Sequence, residues 1–193
     1  MKIIGLTGGI GSGKSKVLSF FQDKGIPCYQ ADLAGHYVLN NNPEVIKQVK
    51  AYFGADSYTE KGIDREAIGR RVFQDSEALA FLNSLVHPAV RSDFKSFAAQ
   101  QKAPFIINEV AILFENEGHL RCDKTILVTA PEEIRIERVM ARDSCSEKEV
   151  KQRMAKQLPD AKKIPLADYV VENIHWEDTL KQLHEIYQEL IDK

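Results

Sequence analysis

The sequence predicts a three-layer α/β fold, with helices on both faces of a parallel sheet, and three observations carry that expectation. Short apolar runs alternate with stretches of helical pattern along most of the chain. The first run, "KIIGLT", passes directly into the glycine-rich "GGIGSGKS" and then into "KSKVLSFFQDKG", so a strand, a tight loop and a helix follow one another. Residues 36 to 102 separate the second run from the third, far more than the dozen or so residues a crossover needs. A chain of 193 residues can bury one good core, or one core with a smaller insertion folded beside it.

The first strand is expected over residues 2 to 7, and the helix after the loop ends at Gly25. Gly8, Gly13, Lys14 and Ser15 have the phosphate-loop spacing, four residues between the two glycines. Across Gly8, Gly9, Ile10, Gly11, Ser12 and Gly13, small residues let successive backbone N–H groups curl around phosphate oxygens. The helix N-terminus adds its partial positive charge. Lys14 would reach the terminal phosphates and the Ser15 hydroxyl would coordinate Mg2+. The expected fold is therefore of the P-loop NTPase type, with a nucleoside triphosphate as ligand. A dinucleotide-binding turn would need neither the lysine nor the serine.

"GIPCYQAD" reads as a second strand, residues 26 to 29, delivering Asp32 to the carboxyl end of the sheet, where ligands sit in parallel α/β folds. A carboxylate there can accept a proton from an attacking hydroxyl or hold Mg2+ through water; it can equally cap the helix "LAGHYVL". The long stretch that follows is nearly all helical in pattern. "NNPEVIKQVKAYFG" has turn signals at both ends, "DREAIGRRVF" and "SEALAFLNSLV" come next, and "HPAVRSDFKSFAAQQK" restarts at a proline. This excess is expected to form a helical subdomain that receives a second substrate. His87 and Arg91, four apart, would face one ligand if Pro88 begins a helix; for His87 a helix cap or a buried hydrogen bond is the alternative.

"APFIINEV" is the next strand, ending in Asn108 and Glu109, and a carboxylate closing a buried strand beside a phosphate loop suits a metal-orienting acid acting through water. Glu115, after "VAILF", is a second candidate carboxylate, assigned with His87 and Arg91 to the acceptor side; a solvated acid at a strand or helix end is the alternative for both Glu109 and Glu115. "KTILVTAPEEIRIERVMARD" gives a strand and a proline-started helix whose Arg135, Arg138 and Arg142 share one face. "SCSEKEVKQRMAKQ" adds a capping box at Ser146 and Glu149, then Arg153 and Gln157. Two such helices suggest a lid whose arginines clamp phosphates, unless they pair with Glu132, Glu133 and Glu137. "ADYVVEN" supplies a last strand, residues 169 to 172. The closing helix buries Leu180, Leu183, Ile186, Tyr187 and Leu190 as core.

Lys and Arg number 26 against 28 Asp and Glu, a net charge of −2, which gives no general attraction for nucleic acid or an anionic membrane. Any anionic ligand needs a local site. No membrane span or signal-peptide pattern is evident, so the cytoplasm is the expected compartment. Cys28, Cys122 and Cys145 lack metal or redox spacing and read as isolated thiols. "CDKT" does not supply a guanine reader, and a DNA-driven motor would be larger or more basic. A small-molecule kinase remains, without nucleic-acid, membrane or obligate protein partners.

In order along residues 3 to about 173, "IGLTGGIGSGKS", "QADLAG", "HPAVR", "LFE", "RVMARD", "KQRMAKQ" and "ADYVVEN" resemble the motifs of the dephospho-CoA kinase family. The resemblance implies phosphoryl transfer from Mg-ATP to the ribose 3′-hydroxyl of dephospho-CoA, giving ADP and CoA. It also implies a five-stranded parallel core over 1–35, 103–130 and 158–193, a helical CoA-binding subdomain over 36–102 and a lid over 131–157. Gly8 to Ser15 would be the ATP-phosphate loop, Asp32 the catalytic base, and His87 and Arg91 acceptor-side residues. Arg142 would be the lid arginine, and Asn173 would stand beside the adenine-binding loop. The chain departs from the family pattern at Gln30, at Ala111 and Ile112, and at Ile174 and His175, the last pair bearing on the adenine pocket.

Overall fold

In the computed structural model, which describes residues 1–192, strand β1 (Lys2–Gly8) turns through the glycine loop into helix α1 (Lys14–Asp23) and on to strand β2 (Cys28–Gln30). Helices α2 (Ala31–Asn41) and α3 (Pro43–Phe53), strands β3 (Tyr58–Thr59) and β4 (Gly62–Ile63), and helices α4 (Arg65–Gln74) and α5 (Ser76–Ala99) come next. The chain continues through β5 (Phe105–Glu109), β6 (Lys124–Thr129), α6 (Glu132–Asp143) and α7 (Glu147–Met154). It ends with the single turn α8 (Asp160–Lys163), β7 (Tyr169–Glu172) and α9 (Trp176–Asp192).

These elements form two units. The first comprises Met1–Gln30 and the chain from Gln101 onward. Its five strands lie in the order β2-β5-β1-β6-β7, every neighbouring pair parallel. Near-continuous apolar runs are what a sheet covered on both faces demands, and Ile4, Leu6, Phe105, Ile107, Ile126 and Val128 are fully buried. The α1 residues Val17, Leu18, Phe20 and Phe21 and the α9 residues Leu183, Ile186 and Leu190 close on the same core. Helix α1 stops because Gly25, at φ 74°, bends the chain so that Gly25 N–H reaches Gln22 C=O and Ile26 N–H reaches Phe21 C=O.

Strand β2 starts two residues later than its apolar pattern suggests. Pro27 has no N–H to give to a ladder, so it contributes only its carbonyl, which accepts from Ile107 N–H at 2.9 Å, and pairing begins at Cys28. At the other edge, Asp168 clasps β6 to β7: its carboxylate accepts from Thr125 N–H at 2.9 Å and from Lys124 Nζ at 2.7 Å. The register sets Leu6 beside Glu109 and Gly8 beside Val128, so the glycine loop leaves the sheet next to the carboxyl end of β5.

The second unit is Ala31–Gln100. Three of its helices, α3, α4 and α5, begin at side-chain caps: Asn42 accepts from Glu44 and Val45 N–H, Asp64 from Ala67 N–H, and Asp75 from Glu77 and Ala78 N–H. Val38, Val45, Val49, Phe53, Ile68 and Ala78 form its own core. The helical stretch is interrupted at one place, where β3 and β4 pair antiparallel and Gly62, the first residue of β4, takes at φ 105° a conformation that side chains disfavour. One expectation is corrected here: Pro88 does not restart a helix but lies inside the 24-residue α5. Phe81, Leu82, Leu85, Ala89 and Val90 pack on the core on both sides of it, and that continuous apolar stripe offsets the roughly 3 kcal/mol an interior proline costs.

Candidate active site

The loop between β1 and α1 turns through two glycines with positive φ, Gly11 at 80° and Gly13 at 89°. Gly13 is the N-cap of α1 and carries no capping side chain, so the first amides of the helix and its positive end are left for an external anion. Lys14 is the first helical residue and is ion-paired with Glu109 at the end of β5; their side chains are 16% and 8% exposed. The adjoining strand ends place this lysine beside a buried carboxylate at the loop.

The outer side of the loop is tied to distant residues. Ile10 N–H donates to Gln157 Oε1 at 2.8 Å, and Ile10 C=O accepts from Arg135 Nε at 2.9 Å. Arg138 Nη1 lies 3.5 Å from the Gly11 and Ser12 carbonyls, and its Nη2 donates to Ile174 C=O at 3.4 Å. Asn173 Nδ2 donates to Ser12 C=O at 2.8 Å, while its Oδ1 accepts from the Thr179 hydroxyl at 3.1 Å. Asn173 is buried, with its amide committed to the loop and to α9. A Cβ on Gly13 would meet Asn173 Nδ2, so that glycine is needed for space as well as for its φ. Ser12 Oγ is buried without a hydrogen-bond partner among the described residues.

Of the three arginines expected to share a clamping face, Arg135 and Arg138 therefore grip loop carbonyls. Arg142, a turn further along α6, is exposed and forms a two-pronged pair with Asp143, Nε to Oδ1 at 2.6 Å and Nη2 to Oδ2 at 3.0 Å. Arg153 on α7 reaches the same carboxylate at 2.6 Å. The Arg142 and then the Arg153 hydrogen bonds hold the Asp143 carboxyl well below the usual carboxylate range. The carboxylates that these arginines pair with are Asp143 and Asp160, rather than the expected Glu132, Glu133 and Glu137. Helices α6 and α7 pack through Ile136, Val139 and Val150, and Ser146 with Glu149 completes the expected capping box.

Glu115 lies beyond β5, its Oε1 accepting from Leu158 N–H at 3.0 Å while Oε2 is buried without a partner among the described residues. Asp32, His87 and Arg91 belong to the second unit. Asp32 is exposed in the first turn of α2, inside the helix rather than capping it. His87 and Arg91 stand one turn apart on α5; burial and then the Arg91 charge push the His87 imidazole below its ordinary value. Burial raises the Cys28 thiol to about 12 and the Cys122 thiol to about 11, leaving them protonated and inert at neutral pH.

The oxygen donors at the loop fit Mg2+. Ser15 is exposed in the first turn of α1, and Glu109 supplies a carboxylate beside Lys14. Mg2+ uses one or two such groups together with substrate phosphates and waters. Among the described residues no group of three or more His, Cys, Asp and Glu could hold a metal by itself.

Arg135, Asn173 and Asp160 hold the loop or its supports through partners far away in sequence, and Lys163 supports Asp160 from three residues away. Arg135 Nη1 donates to Asp160 Oδ2 at 3.0 Å, and buried Lys163 pairs with Asp160 at 2.8 Å. No local pattern announces the distant pairs.

A parallel sheet carrying a phosphate loop, with a lysine at the helix start and a carboxylate on the neighbouring strand, defines a P-loop kinase fold. Solved shikimate kinases share it, one from Bacteroides thetaiotaomicron at TM-score 0.54 and 15% identity over 100% of this chain and 99% of its own. The profile of the family described as "CoaE: Dephospho-CoA kinase" matches residues 2–178, and the chain belongs to that family. The dephospho-CoA kinase of Chlorobaculum tepidum is 36% identical, aligned over 98% of this chain and 95% of its own. That of Idiomarina loihiensis is 34% identical over 96% and 94%. Among solved structures, TT1252 from Thermus thermophilus superposes at TM-score 0.88, with 35% identity over 98% of this chain and 97% of its own. The dephospho-CoA kinase from Campylobacter jejuni gives 0.71 and 25% over 98% and 97%.

Proposed function

We infer that this kinase transfers the γ-phosphoryl group of ATP to the ribose 3′-hydroxyl of dephospho-CoA, giving ADP and CoA. The observation that carries the reading is Lys14 at the open N-terminus of α1, beside the β5 carboxylate Glu109, in a chain of this family. The amides of Gly8 to Ser15 bind the β and γ phosphates, and Lys14 stabilises the charge that spreads over the transferring group. Ser15 would hold Mg2+ directly, with Glu109 and Asp32 acting through water, and the ion would supply charge neutralisation across the phosphates. Asp32 receives the proton of the ribose hydroxyl. His87, Arg91 and Glu115 bind the acceptor, whose subdomain is 36–102.

Arg142 acts on the phosphate by exchanging the Asp143 carboxylate for phosphoryl oxygens, one planar bidentate partner for another. Asn173 supports the donor side through the Ser12 carbonyl. Residues 131–157 work as the lid, excluding the water that would otherwise hydrolyse ATP. No helix among the described residues is long and apolar enough to cross a membrane, and the cytoplasm is the proposed compartment.

The test is a mass-resolved assay with Mg-ATP and dephospho-CoA that follows ADP and CoA together. Equal appearance of both is expected. ADP without CoA, or no turnover, would refute the acceptor. Asp32→Asn should lower kcat about a hundredfold or more while ADP still binds, in line with a general-base contribution of about 10² to 10⁴. Near-normal turnover would reject Asp32 as the base.

A further inference from the structure

Every group of Ile10, the third residue of the loop, is held by residues more than a hundred positions away. Gln157 takes its N–H and Arg135 takes its C=O. Its side chain packs on Ile136, Val139 and Val150, the small core between α6 and α7. The two polar partners are themselves fixed. Arg135 is 8% exposed and is pinned by Asp160, which Lys163 holds in turn. Gln157 follows α7 with its N–H on Met154 C=O at 2.9 Å, and the next amide, that of Leu158, is on Glu115.

We propose that Gln157 and Arg135 are positioning residues that set the bend of the phosphate loop from its outer side, so that its amides face a nucleotide phosphate without rearrangement. This rests on the proposed nucleotide reading of the loop. It also assigns a protein-side cause to two glycines. A Cβ on Gly9 would stand 2.7 Å from Arg135 Cζ, and one on Gly11 would stand 2.9 Å from Arg135 Cα. The end of an arginine can usually swing aside, but this one is buried and bonded on both sides. Gly9 has no positive φ to protect, so its lack of a side chain answers to Arg135. The base of α6 is accordingly a brace for the loop, and any closing motion of this segment is carried by parts beyond it.

Three measurements on the full chain test this. Gln157→Leu keeps the volume and removes the acceptor. It should abolish protection of the Ile10 amide in hydrogen exchange and weaken ADP binding and raise the KM for ATP about fivefold, as one lost hydrogen bond of about 1 kcal/mol implies. The KM for the acceptor should hardly change and the thermal midpoint should fall by about the 2–4 °C that the same 1 kcal/mol implies, whereas a merely structural role would lower the midpoint and leave both the ATP and the acceptor constants unchanged. Gln157→Glu keeps an acceptor and should restore Ile10 protection. In a double-mutant cycle, Gly9→Ala should be damaging in the wild-type chain and nearly silent in an Arg135→Ala background. Wild-type exchange and ADP affinity in Gln157→Leu, or an unchanged Gly9→Ala penalty without Arg135, would overturn the brace. Failure of the wild-type chain to bind ADP would instead overturn the nucleotide reading, while Ile10 exchange and the cycle read as thermal midpoints still decide the brace.

Discussion

Replacing Lys14 with Met should cost stability as well as turnover. Glu109 is 6% exposed and has Lys14 as its ion-pair partner, so the variant strands a buried carboxylate. Removing one member of a buried pair costs about 3–5 kcal/mol, and the low end applies because the lysine side chain keeps some contact with water, being 16% exposed. At about 2–4 °C per kcal/mol for a chain of this size, a loss of about 3 kcal/mol lowers the thermal midpoint by roughly 6–12 °C. The double variant Lys14→Met, Glu109→Gln removes the stranded charge with its partner and should recover most of that loss. Scanning calorimetry at pH 7 without nucleotide measures it. Turnover should stay crippled in both, since in the proposed mechanism loop amides alone cannot replace the ammonium at the γ phosphate. A single variant within about 1 °C of wild type, or a double variant no more stable than the single, would refute the reasoning, since a stranded charge is the stated cause.

Further outcomes follow from the same structure. Burial alone would raise the Asp168 carboxyl, but hydrogen bonds from Lys124 and Thr125 hold it below its ordinary 3.8. A depressed carboxyl contributes stability above its ordinary value and loses it as pH falls through the folded one. Asp168→Asn should therefore be less stable by about 1 kcal/mol at pH 7, and the gap should close below about pH 4 in urea titrations. For His87, burial and then Arg91 favour the neutral ring. Its contribution to stability is present above the ordinary 6.5 and is lost as pH falls from there through the lower folded value, and Arg91→Ala should raise the imidazole pKa part of the way back, read by NMR titration. Pro88→Ala should raise the urea midpoint of unfolding by an amount worth about 1–3 kcal/mol, because the α5 stripe already holds the helix there against its proline.

Much of the first unit was legible from local signals. The loop spacing, the apolar strands and the closing stripe Leu183, Ile186 and Leu190 each follow from residues within one turn or one strand. The second unit was less so. A two-residue strand such as Tyr58–Thr59 is too short for any period to register, and Pro88 is a stop signal that the neighbouring apolar stripe overrides. At the site, the arginine spacing on α6 announced a common face and gave no sign of what that face would meet. Arg135 and Arg138 met the backbone of the loop, whereas Arg142 met Asp143.

The sequence by itself determined the identity of the phosphate loop, the helix that follows it and the family, because those depend on residue types at fixed short spacings. Tertiary structure alone decided that β5 lies beside β1, which brings Glu109 to Lys14, and that Gln157, Arg135 and Asn173 reach the loop across 125 to 161 residues of chain. Strand order and such distant hydrogen bonds are chosen by the packing of whole layers. A segment of sequence carries its own periodicity and caps, but its partners are fixed only when every other segment has found a place in the core.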